Sequence, residues 1–169
     1  MNQCERNALL KEIKRLRLAA SDMDQVAAAT ATLAEVRLNG GAERIMYTGI
    51  VVAYVRPYRN AGIGELNEAE WAPHYSDRAL HDRLVFLRDK VYAHTDDTVY
   101  RGVEDTSSLL DIDGGPTYAE SYVSMSPEGI QRIGQIAEAQ AKRFSHAADE
   151  LEHQLGRPRP DGSGQGWNI

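Results

Sequence analysis

The chain has 169 residues, of which 42% are hydrophobic and 26% charged; that is enough for one domain with its own core, and the long apolar stripes exclude disorder as the default. A net charge of −6 excludes a protein that coats nucleic acid through bulk electrostatics, though not a nuclease with a locally basic cleft. The single cysteine, Cys4, excludes an intramolecular disulfide, and the most apolar run, 45–55, is too short for a membrane span; with no secretory signal in the sequence, a cytoplasmic location is expected.

In chain order, Leu9, Ile13, Leu16 and Ala20 form a first helical stripe. Ser21-Asp22 either breaks this helix or caps a second one, whose stripe is Val26, Ala29, Leu33 and Val36. Asn39-Gly40-Gly41 is a stop signal. Residues 42–56 predict a helix that is apolar on most of its circumference, and therefore central, ended by Pro57. Residues 59–64 read as a loop with Gly62 and Gly64 as hinges; its Gly-x-Gly is too short for a dinucleotide site. A short helix within 65–76 contains Trp71 and ends at Pro73.

Leu80, Leu84, Leu87 and Val91 then mark the buried stripe of a helix over 77–94. The region 95–125 is the least regular. The turn Asp113-Gly114-Gly115-Pro116 joins 109–112 to 117–125, either as a small β-hairpin near 108–125 or as extended loops. Ser126-Pro127 starts a last helix, whose stripe runs from Ile130 to Leu155. The fold class is mainly all-α: an antiparallel helical bundle built on 42–56, 77–94 and 126–155. One domain spans 1–155, and 156–169 form a flexible tail.

The segment 80–98 carries the chemistry. It combines His94, an imidazole able to take a proton near neutral pH, with Arg88, a guanidinium able to hold a phosphate through paired hydrogen bonds. The plain alternative for His94 is a helix C-terminal residue whose charged form favours the dipole. On an ideal helix Arg88 and His94 stand about 120° and about 9 Å apart. Either the helix ends before His94, or Arg88 reaches across, or a second protomer completes the site. Arg56, at the end of the most apolar helix, needs a partner such as a phosphate or the carboxylate of Asp89, unless it only satisfies helix-end carbonyls. Tyr92 either stacks on a base or packs in core or interface. Asp89 either orients Arg88 or is merely hydrated, and Asp96 belongs to the site or to its rim. His74, His81 and His94 have no compact metal-ligand spacing, so neither a metal nor another cofactor is expected.

Arg88-Asp-Lys-Val-Tyr-Ala-His-Thr-Asp96, together with Tyr54-Val-Arg-Pro-Tyr58, resembles the HEPN superfamily, in particular a bacterial subgroup similar to phage-abortive-infection proteins. That family carries an Arg, usually followed by Asn, Asp or His, then a His after four to six intervening residues. The likeness covers about 42–97. It implies a HEPN-like helical domain that is a metal-independent endoribonuclease of the toxin or phage-defence type, with Arg88 and His94 catalytic and Arg56, Asp89, Tyr92 and Asp96 supporting. It also implies a homodimer with a cleft between protomers, RNA or a nucleotide as ligand, and an antitoxin partner such as a minimal nucleotidyltransferase. Some members are instead non-catalytic modules that bind nucleotides, RNA or protein.

Overall fold

The computed structural model describes residues 1–36, 38, 40–59, 64–92 and 126–156, except the side chains of Gly40, Tyr75, Lys90, Val91 and Tyr92. Of these residues 87% are helical and none lies in a strand, so the all-α class is correct. The expected hairpin near 108–125, the tail and both His94 and Asp96 lie outside the described residues.

Helix α1 runs without interruption over Gln3–Glu35. It starts with a capping box in which Asn2 accepts from the Glu5 N–H and Glu5 accepts from the Asn2 N–H. The break allowed at Ser21-Asp22 does not occur. Asp22 directs its carboxylate to the Arg56 guanidinium, 3.1 Å away, instead of capping a new helix. Ile13, Leu16, Ala20, Met23 and Val26 form one buried stripe straight through that point.

Helix α2 spans Gly40–Val55. Gly40 and Gly41 therefore open α2, whereas α1 has already ended at Glu35 with Val36 extended. Tyr47, Ile50, Val51, Tyr54 and Val55 are buried, but Ile45 is 75% and Val52 41% exposed. The central position that its mostly apolar circumference predicts is therefore not found: the helix covers the core on one side only.

A 3₁₀ turn, Arg56–Tyr58, carries Pro57 at its start. The short α3, Glu68–Trp71, begins at Asn67, whose side chain accepts from the Ala69 N–H. Its last carbonyls are satisfied by residues distant in sequence: Gln140 donates to the Trp71 carbonyl (3.2 Å) and Arg143 to that of Glu70 (2.7 Å). Helix α4 covers Tyr75–Phe86 and passes directly into a π-helical turn, Leu87–Tyr92. Leu84 and Leu87 of the expected stripe are buried.

Helix α5, Pro127–Gln154, starts as the sequence predicts, with Ser126 accepting from the Gly129 N–H and Pro in the first turn. Its principal partner is α1, a helix that the three-helix expectation left out of the bundle's centre. Arg17 meets Asp149 and Glu152, while Thr30 meets Gly134, so the two helices run antiparallel. A Cβ at Gly134 would stand 2.5 Å from the Thr30 hydroxyl oxygen, which makes glycine the residue that permits this approach. α2, the 3₁₀ turn, α3, α4 and α5 each contribute one ring to an aromatic cluster of Tyr54, Tyr58, Trp71, His81 and Phe144, with neighbouring ring centroids 4.8–6.4 Å apart. No helix among the described residues is long and apolar enough to cross a membrane.

Candidate functional site

The π turn presents Arg88 and Asp89 side by side. On an α-helix, neighbours in sequence diverge, and ion pairs form at a spacing of three or four. The residues at those spacings from Arg88 are Leu84, Val85, Val91 and Tyr92, none of which carries a carboxylate. The guanidinium instead turns to the next residue, and Arg88 Nη1 donates to Asp89 Oδ1 at 2.7 Å. Side-chain exposure is 25% for Arg88 and 35% for Asp89, so the pair is screened from bulk water yet open on one side.

A second guanidinium approaches the same carboxylate. Arg59 Nε lies 3.9 Å from Asp89 Oδ2, a charge contact too long for a hydrogen bond. Arg59 is held from behind, since its Nη1 donates to the Tyr58 carbonyl (3.1 Å) and sits 2.5 Å from Glu68 Oε1. Glu68 Oε2 lies 3.5 Å from Arg78 Nη2, and Arg78 Nε in turn donates to Asp82 (2.8 Å). Three guanidiniums and three carboxylates alternate from Arg88 to Asp82, drawn from the 3₁₀ turn's end, α3, α4 and the π turn.

Beneath this chain of charges lies His81, fully buried. Its Nδ1 is 3.2 Å from the Tyr54 hydroxyl, and its ring meets Tyr58 at 88° with centroids 4.8 Å apart. Nε2 is buried and has no hydrogen-bond partner among the described residues. Burial, and then the positive charge of Arg78, pulls the His81 pKa down to about 4, with Arg59 acting in the same direction and Asp82 against it. His81 is therefore neutral at pH 7. Burial also pushes the phenols of Tyr54 and Tyr58 well above their ordinary range, so neither serves as a base.

The structure brings together only part of the predicted set. Arg88 and Asp89 are in contact. Arg56 does not go to Asp89: it reaches across to Asp22 of α1 and is half exposed, so burial does not force a phosphate on it. Arg59, three residues further on, takes the place beside Asp89. The side chain of Tyr92, and all of His94 and Asp96, lie outside the described residues. No group of three or more His, Cys, Asp or Glu among the described residues is arranged to hold a metal ion.

Nothing in the sequence singles out Arg59, Glu68 or Arg78. Arg78 and Asp82 have helical spacing, but the contacts that link Glu68 to Arg59 and Arg78, and Arg59 to Asp89, lie outside any helical spacing. For His81 a signal does exist, because it precedes Leu84 by three residues and so shares the buried face of α4. No family model, curated protein or solved structure matches this chain.

Proposed function

We propose that this chain is a HEPN-like, metal-independent endoribonuclease of the toxin or phage-defence type, acting in the cytoplasm. His94 takes the proton of a ribose 2′-hydroxyl, and the 2′-oxygen attacks the adjacent phosphorus. The 5′-oxygen leaves with a proton returned by the imidazole, and a 2′,3′-cyclic phosphate remains. Such proton transfer contributes about 10²–10⁴-fold in rate. Arg88 stabilises the charge that builds on the phosphate oxygens.

The observation that carries this reading is the placement of Arg88. Its guanidinium is partly exposed, on a widened turn and outside the core, six residues before the imidazole with which the motif pairs it. Widened turns of this kind are frequent at functional sites. Dimerisation is part of the same proposal. Ile45 and Val52 are exposed on α2, and a Cβ at Gly49 between them would meet nothing within 4 Å, which leaves an aliphatic face for a second copy. A nucleotidyltransferase-like antitoxin is the partner that the family resemblance suggests.

A second reading, a non-catalytic binding module, is favoured by the hydrogen bond that ties Arg88 to Asp89 and by the acidic balance of the chain. Incubating total cellular RNA with the protein in excess EDTA separates the two. Cleavage by wild type that is abolished in His94→Ala supports the enzyme. Cleavage that requires added Mg²⁺, or that persists in His94→Ala, rejects the mechanism. No cleavage across varied RNAs leaves the binding module.

A further inference from the structure

We infer that the Asp89 carboxylate occupies an anion site shared by Arg88 and Arg59, and that a phosphate group displaces it there. The inference rests on the proposed function only in taking RNA as the source of that phosphate.

The two oxygens of Asp89 face two different guanidiniums. One oxygen accepts a short, charge-assisted bond from Arg88, and the other stands 3.9 Å from Arg59 Nε without a hydrogen bond. A carboxylate therefore satisfies one side of the pair and falls short of the other. A phosphate is larger and offers more oxygens, so it spans both guanidiniums.

Arg59 is already positioned for this. Its Nη1 is anchored by Glu68 and the Tyr58 carbonyl, and Glu68 is steadied in turn by Arg78. The other donors of Arg59 need no large rearrangement to meet an anion. Asp89 follows Arg88 directly on a short turn, so its side chain can swing aside without disturbing α4. The charges agree. With Asp89 in place, Arg59, Arg78 and Arg88 are matched by Glu68, Asp82 and Asp89. Neutralising Asp89 leaves one positive charge in excess. Asp89 thus acts as an internal competitor that weakens anion binding.

The test is binding without chemistry. A fluorescein-labelled 2′-O-methyl oligouridylate 12-mer cannot cyclise, so its anisotropy reports affinity whether or not the protein cleaves RNA. Asp89→Asn should bind it at least fivefold more tightly than wild type, because the internal competitor is gone while the two guanidiniums remain. Arg59→Ala should bind at least fivefold more weakly, and adding it to Asp89→Asn should remove the gain. Arg132→Ala, which breaks an ion pair with Asp77 that includes neither Arg59, Arg88 nor Asp89, controls for the loss of one positive charge and should stay within twofold.

Competition by uridine 3′-monophosphate at similar concentrations would assign the site to a terminal phosphate. Displacement by unlabelled oligomer alone would assign it to a phosphodiester. Either result supports the anion site. Unchanged or weaker binding by Asp89→Asn, wild-type binding by Arg59→Ala, or no binding by any variant overturns it. Should Asp89→Asn not fold, the Arg59→Ala result decides alone. RNA cleavage can fail while this binding succeeds, so the two proposals fall separately.

Discussion

Two arginines three residues apart on one turn show how this molecule is divided. Arg56 turns toward the long helices, where it meets Asp22 of α1; Arg59 turns toward Asp89 on the π turn. The first side belongs to a frame of two long antiparallel helices held by apolar burial and one close backbone approach. The second is a small cluster of alternating charges assembled from four segments. Burial sets a frame by removing area from water and tolerates few changes of volume. Partly exposed ion pairs contribute little to stability, so such a cluster is free to serve binding. Substitutions in the frame should therefore move stability, and substitutions in the cluster should move ligand affinity or activity.

The largest expected effect belongs to Phe144, fully buried between Tyr58 and Trp71. Phe144→Ala should destabilise the fold by about 3–5 kcal/mol, measured by urea denaturation. A loss below about 1 kcal/mol would show that the aromatic cluster does not join frame and site as described.

The next tests the boundary between the two regions. Folded His81 takes up a proton only near pH 4, whereas in the unfolded chain it does so near the ordinary 6.5. Its contribution to stability is complete above pH 6.5 and drains away as pH falls from 6.5 toward 4, reaching about 3 kcal/mol at most. His81→Gln keeps a hydrogen-bonding group for Tyr54 but does not titrate. Between pH 6.5 and 4.5 wild type should lose more stability than this variant; parallel losses would contradict a buried neutral imidazole.

Gly134→Ala should cost about 1–3 kcal/mol, because its methyl group meets the Thr30 hydroxyl. Thr30→Ala in the same chain should recover most of that loss, and the double-mutant cycle reads the recovery directly. At the small end, Asp89→Asn and Arg59→Ala should each change stability by no more than about 1 kcal/mol, since both side chains are over a third exposed or close to it. A larger loss would make the cluster part of the frame.

The same division explains what could be read from the sequence. The frame was legible because helical stripes and caps are local: the stripes Leu9 to Ala20 and Val26 to Val36 announce the two halves of α1, and Ser126 with Pro127 announces α5. The continuity of α1 through Ser21-Asp22 was not, because the partner that Asp22 takes instead of a cap, Arg56, is distant in sequence. The outward exposure of Ile45 and Val52 was hidden as well, since an apolar side chain does not state whether its cover comes from its own chain. Of the site, Arg88 and Asp89 were legible as a motif. Arg59 was not, because only the fold brings the end of the 3₁₀ turn to the π turn.

The most direct measurement uses a DNA oligonucleotide carrying a single internal ribonucleotide, incubated with wild type and Arg88→Ala in excess EDTA, with the product end identified by mass spectrometry. Attack by a 2′-hydroxyl predicts one cut, 3′ to the ribonucleotide, a 2′,3′-cyclic phosphate end from wild type, and no product from Arg88→Ala at unchanged helical content. Cleavage elsewhere in the strand, a requirement for Mg²⁺, or full activity in Arg88→Ala would contradict the assignment of Arg88 and His94 to metal-independent RNA cleavage.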